Sequence, residues 1–237
     1  MTSNKFDKSP SGGSKEAKLP VLRGKINLLF FLIFPIVLFK IFFKQKNLEK
    51  MPFLIFSFCA AFNFLSSIVL HLRIWEQEEY SVLRRIDYAG IFLMIGAGGI
   101  PTYSLLMTND FMVILGVLHW ILIFTGVFSS LLFNFCYTSK RVRSIVYVLI
   151  STPYYILLPM FLRSKYHNAI VSLILGGLIY TLGAFVYGSK FPNLIPGVFE
   201  YHELFHIFCL LGFSGVSMAN FFICKNDRAT VLQRVFG

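Results

Sequence analysis

The chain has 237 residues, 56% hydrophobic and 14% charged, with 22 Lys and Arg against 11 Asp and Glu. Soluble domains carry about 25% charged residues, so this composition, with 28 Phe and a mean hydropathy of +0.69, excludes a disordered chain, a collagen-like chain and a soluble nucleic-acid-binding module. An integral membrane protein is the default class, and the net charge of +11 reads as loop charge beside membrane spans, with no nucleic acid as partner.

Residues 1–25 are polar, contain Gly12, Gly13 and several Ser, and hold six basic residues. They read as a disordered tail, and no small-residue cleavage site follows the first apolar run, so no signal peptide is expected. A spanning helix takes about 20 mostly apolar residues. Seven such runs follow, roughly at 26–43, 52–73, 86–107, 111–135, 142–162, 168–188 and 200–223. The expected fold is therefore all-α: a seven-transmembrane bundle over residues 26–223, with a short C-terminal tail over 224–237. Short loops make sequential helices antiparallel neighbours. Pro35, Pro101, Pro153 and Pro159 fall within the runs, where neighbouring helices can satisfy the freed carbonyl. Gly96, Gly98, Gly99, Gly176 and Gly177 are small residues that allow close helix packing.

Orientation follows from Lys and Arg. The side that holds the N-terminus carries 13 of them and the other side 9. This bias puts the N-terminus in the cytoplasm and, after seven crossings, the C-terminus on the opposite side. Cys59, Cys136, Cys209 and Cys224 form no CxxC pair, so neither a disulfide framework nor a thiolate metal site is expected.

An ionisable residue inside a span is a functional candidate by default. Here these are His71, Asp87, His119, His202, Glu203 and His206, with Lys40 and Arg73 near span ends. Helix parity groups them. His71 ends the second run, Asp87 begins the third, and His202 and His206 begin the seventh, so all four fall at one depth on one side. His202 and His206 are four residues apart and share a helix face. Two imidazoles so spaced are a common half-site for zinc, and three histidines with an open fourth position are the catalytic pattern. Ser67 faces the same way as His71, one turn deeper. Asp87 is a candidate to support the ligands or to orient water. His119 lies toward the opposite end and reads as an interhelical polar group; His167 is in an opposite-side loop. The segment His202-Glu203-Leu204-Phe205-His206 also matches H-E-x-x-H, which in soluble metalloproteases supplies two zinc ligands and a glutamate base. Glu203 equally reads as an interfacial charge paired with Arg84 or Arg85. No acidic third ligand follows except Asp227, on the far side.

The ordered set Ser67-x3-His71, Arg84-Arg85-x-Asp87, Gly176-Gly177 through Ala184, Pro192-Asn193, Pro196-Gly197 and His202-x3-His206 resembles the haemolysin III family. That family belongs with the progestin and adipoQ receptors (PAQR) and is related to the alkaline ceramidases. The resemblance covers the chain from Leu22 to about Asn220. It implies seven helices, an internal N-terminus and one Zn2+ held by His71, His202 and His206, with Asp87 and Ser67 as the remaining polar site residues. Leu70 stands where the family often carries Tyr, and the receptors' long N-terminal domain has no counterpart.

The expected activity is zinc-dependent hydrolysis of a ceramide-like lipid amide, with Asp87 and Ser67 as catalytic groups and membrane or acyl lipids as partners. Two alternatives stay open: a receptor-like or membrane-perturbing protein with structural zinc, and an intramembrane metalloprotease. No protein partner and no particular membrane follow from the sequence.

Overall fold

The computed structural model describes residues 19–42, 50–100, 110–153, 159, 162 and 167–226. The expected tail through residue 18, the third run beyond residue 100 with Pro101, and the tail beyond 226 lie outside them. Among the described residues the fold is all-helical, with no strand beyond one isolated bridge between Ile195 and Phe199. The helices are α1 (Lys25–Phe42), α2 (Lys50–Leu72), α3 (Gln77–Gly98), α4 (Asp110–Leu132), α5 (Lys140–Ser151), α6 (His167–Ser189) and α7 (Tyr201–Asn226), with a 3-10 turn at Asn134–Tyr137. Among the described residues, four stretches are long and apolar enough to cross a membrane: Leu54–Leu72, Val113–Leu132, His167–Ser189 and Tyr201–Phe222.

The bundle is apolar on the outside and carries polar groups within. Phe58, Leu118, Phe128, Leu182 and Phe185 are exposed, whereas Asn27, Ser67, Arg84, Asp87, His119 and Arg143 are buried. A water-soluble core has the opposite pattern; lipid makes an apolar exterior stable and leaves the interior as the place to pair polar groups.

Sequential helices pack on each other, and α7 closes onto α1. Because lipid tails are as apolar as Leu, packing geometry rather than water exclusion drives this association. Phe213 of α7 sits at the centre of one contact. Its ring centroid lies 5.1 Å from Phe34 of α1, and 5.4 and 5.2 Å from Phe56 and Phe64 of α2. Such aromatic pairs contribute about 0.5–1.5 kcal/mol each beyond buried area. They clamp α1, α2 and α7 two turns below His206. Where α6 crosses α7, a Cβ on Gly215 would sit 2.7 Å from Gly176 Cα, and one on Gly176 would sit 3.0 Å from Gly212 O. This is the close approach expected of Gly176.

Two boundaries differ from the sequence reading. Helix α3 starts at Gln77, about two and a half turns before the apolar run. Glu78 and Glu79 occupy its first turn, where carboxylates suit the positive end of the helix dipole, and Glu79 Oε2 accepts the Glu76 N–H at 3.4 Å. A hydropathy window cannot register a polar extension of this kind. The second difference is in the expected tail. Residues 19–24 are held in place: Val21 N donates to Gly197 O at 3.1 Å and Leu22 N to Val198 O at 3.3 Å. Gly24 has φ +74°, and a Cβ there would meet the His71 backbone carbon at 3.1 Å. Glycine permits both that conformation and that approach.

Candidate metal centre

Two helices, α2 and α7, deliver the three histidines to one point. His71 ends α2, and His202 and His206 occupy the first two turns of α7. The Nε2 atoms of His71 and His202 lie 3.2 Å apart, and those of His202 and His206 3.0 Å apart. All three ligating atoms fall within 4.8 Å of one another. For tetrahedral zinc with Zn–N near 2.0–2.1 Å, ligand atoms stand about 3.3 Å apart. The donor set therefore fits a single ion, and the parity grouping of these histidines is matched by their contact.

The histidines line a cavity of about 380 Å³ together with Asp87 and Ser67. Asp87 and Ser67 are both buried. Asn27 of α1 completes this wall. Its side chain is 3% exposed; Nδ2 donates to Ser67 Oγ at 2.9 Å and lies 3.1 Å from Nδ1 of His206. A ligating imidazole donates its second N–H to an acceptor, which fixes ring orientation and tautomer; the Asn27 carbonyl takes that place when the amide makes a half-turn. Asn27 carries no ionisable group and so does not stand out among the charged residues of the spans. Its available signal was an amide two residues into an otherwise apolar helix.

Glu203 does not pair with Arg84 or Arg85. Its Oε1 accepts from Arg23 Nε, and its Oε2 accepts the Glu200 N–H at 2.9 Å. Arg23 also stands 3.9 Å from Glu200. Arg84 lies instead over the Tyr137 ring, 4.6 Å from its centroid, and Arg85 Nη1 donates to Leu131 O at 2.9 Å. The correction has a local cause. Residues 19–24 bring Arg23 onto the start of α7, against Glu203. With both oxygens engaged, Glu203 holds the entry of α7 and is not among the cavity-lining residues. The H-E-x-x-H string thus supplies two histidines to the centre and a helix-start carboxylate behind it.

His119 lies away from the cavity. It is buried, and its Nε2 is 3.0 Å from Ile150 O, a tie between α4 and α5 that matches its interhelical reading. His167 is exposed at the start of α6.

Beside His202 the cavity is walled by tyrosines. The Tyr187 and Tyr201 ring centroids lie 6.1 and 6.3 Å from that of His202. Tyr187 Oη is 3.2 Å from Tyr88 Oη and accepts from Arg143 Nη2 at 3.1 Å. Arg143 Nη1 also donates to Cys136 O at 3.0 Å and to Thr138 O, which locks the start of α5 against α6.

Comparison with known proteins bears out the resemblance. The chain is 28% identical over 186 residues to heptahelical transmembrane protein 5 of Arabidopsis thaliana, an alignment covering 70% of this chain and 48% of that protein. The chain thus spans about half the length of that curated relative. A sequence model described as haemolysin-III related matches residues 22–216, which takes in Asn27 and all three clustered histidines. The chain is therefore an integral membrane protein of the haemolysin-III related family.

Proposed function

We propose that the centre holds one zinc ion on His71, His202 and His206 and that the protein hydrolyses a lipid amide of the ceramide class. The observation that carries this reading is the convergence of three imidazole Nε2 atoms beside a buried carboxylate in a cavity open to apolar helix faces. Zinc so held would supply a Lewis acid that polarises a carbonyl and makes water a better nucleophile at neutral pH. The chain's own groups do the rest. Asp87 accepts the water proton at a carboxylate oxygen as the water oxygen adds to the carbonyl carbon. It returns that proton to the leaving nitrogen as the C–N bond breaks. Ser67 holds the Asp87 carboxylate, Asn27 holds Ser67 and His206, and Leu70, Ile91 and Phe205 give an acyl chain an apolar surface. The Lys and Arg bias supports a cytoplasmic position for this end of the bundle.

Purified protein should contain about one zinc per chain by elemental analysis and release fatty acid from a short-chain fluorescent ceramide. His206→Ala should lose the metal and the activity together. Asp87→Asn should keep the metal and lose about 10²–10⁴-fold in rate. Metal-replete protein with no activity on any lipid amide or ester would overturn the hydrolase reading.

A further inference from the structure

The inner face of α5 carries a polar stripe that the proposed hydrolysis does not use. Lys140, Ser144 and Tyr147 stand at i, i+4 and i+7 and all line the histidine cavity, while Val142, Ile145 and Leu149 on the other face are exposed. Lys140 Nζ donates to Tyr201 Oη at 2.7 Å and lies 5.3 and 5.0 Å from the Tyr187 and Tyr201 ring centroids. Those rings flank His202. An ammonium has three donors, and the single bond to Tyr201 leaves two. Among the described residues no carboxylate lies within ion-pair distance of Lys140, whereas Arg23 and Arg73, which line the same cavity, are matched by Glu203 and Glu79. The Ser144 and Tyr147 hydroxyls are buried and have no hydrogen-bond partner. Buried polar atoms left in that state are costly and are rarely left so in native structures.

One ammonium and two unsatisfied hydroxyls on one stripe suit a ligand rich in acceptor oxygens and negatively charged. A phosphate presents several strong acceptor oxygens and carries charge that an ammonium complements. A neutral polyol offers the acceptors but gives Lys140 no counter-charge. We propose that Lys140, Ser144 and Tyr147 form a headgroup subsite for a phosphate-bearing lipid whose chain lies in the histidine cavity. This rests on the reading of that cavity as a lipid site.

The test is thermal unfolding of the full-length protein in detergent with three probes: dioctanoyl phosphatidic acid, dioctanoylglycerol and inorganic phosphate. The phosphatidic acid should stabilise the protein with an apparent affinity about tenfold or more above that for the neutral lipid. Lys140→Gln and Tyr147→Phe should each remove most of that preference, and Lys140→Arg should keep it. Equal stabilisation by the two lipids, or a preference that survives in both Lys140→Gln and Tyr147→Phe, would overturn the subsite. An equal effect of inorganic phosphate alone would overturn its assignment to a lipid. Tyr147→Phe decides the matter if Lys140→Gln does not fold. No turnover is measured, so a missing phosphate preference leaves the hydrolase reading standing, and a missing hydrolase activity leaves the subsite standing.

Discussion

Asn27 on the first helix and His206 on the last meet at the centre, with Asn27 Nδ2 3.1 Å from His206 Nδ1. This contact ties the two ends of the sequence together at the atom that sets the His206 tautomer. A metal on Nε2 requires the proton on Nδ1, and a half-turn of the amide presents the Asn27 carbonyl to receive it. Asn27→Leu should therefore weaken zinc binding about 10–100-fold while all three ligands remain. Competition with a chromophoric chelator measures this, and unchanged zinc affinity would remove Asn27 from the centre.

The Arg23–Glu203 pair gives a second prediction. Glu203 is 1% exposed and Arg23 17%, so Arg23→Ala leaves a nearly buried carboxylate without its cation. Removing one partner of such a pair costs about 3 kcal/mol. Adding Glu203→Gln should recover much of that loss, because the neutral amide needs no counter-charge. A double-mutant cycle by thermal unfolding reads the coupling. Additive effects would show that residues 19–24 do not brace α7.

At the crossing of α6 and α7, Gly215→Ala places a methyl carbon 2.7 Å from Gly176 Cα. The contact is backbone against backbone, so neither side can rotate away. The helices must separate, at about 1–3 kcal/mol. The expected result is a lower unfolding midpoint with the histidine centre kept, since His202 and His206 lie on the first two turns of α7, more than two turns away. A midpoint equal to wild type would show that the crossing is looser than the structure has it.

His119 separates structural from site histidines. His119→Phe keeps the bulk but loses the contact with Ile150 O, which should lower stability by about 1 kcal/mol and leave bound zinc at the wild-type amount. Loss of zinc in this variant would mean that the centre depends on the α4–α5 tie.

The site was legible in the sequence to the extent that chemistry repeats along a helix. His202 and His206 share a face through their spacing alone, and charges are so scarce in the spans that His71 and Asp87 stood out. Parity then grouped them without any contact information. Asn27 escaped because an amide carries no charge and its partners are 40 and 179 residues away. The partner of Glu203 escaped for the same reason, since Arg23 is 180 positions distant and lies in a segment whose composition reads as tail.

The 14% charged and 56% hydrophobic composition determined the class of protein, and the order of apolar runs determined the expected number of helices and the end of the bundle that holds the histidines. Those properties depend on local hydropathy and on counting crossings. Only the tertiary structure decided which side chains meet. It placed Nε2 atoms 3.0 and 3.2 Å apart, set Asn27 behind His206, and engaged both oxygens of Glu203 so that H-E-x-x-H became a helix start with two clustered histidines. The same fold turned Lys140, Ser144 and Tyr147 inward. Contact distances are fixed by how the helices close into a ring, and that closure depends on all of them at once.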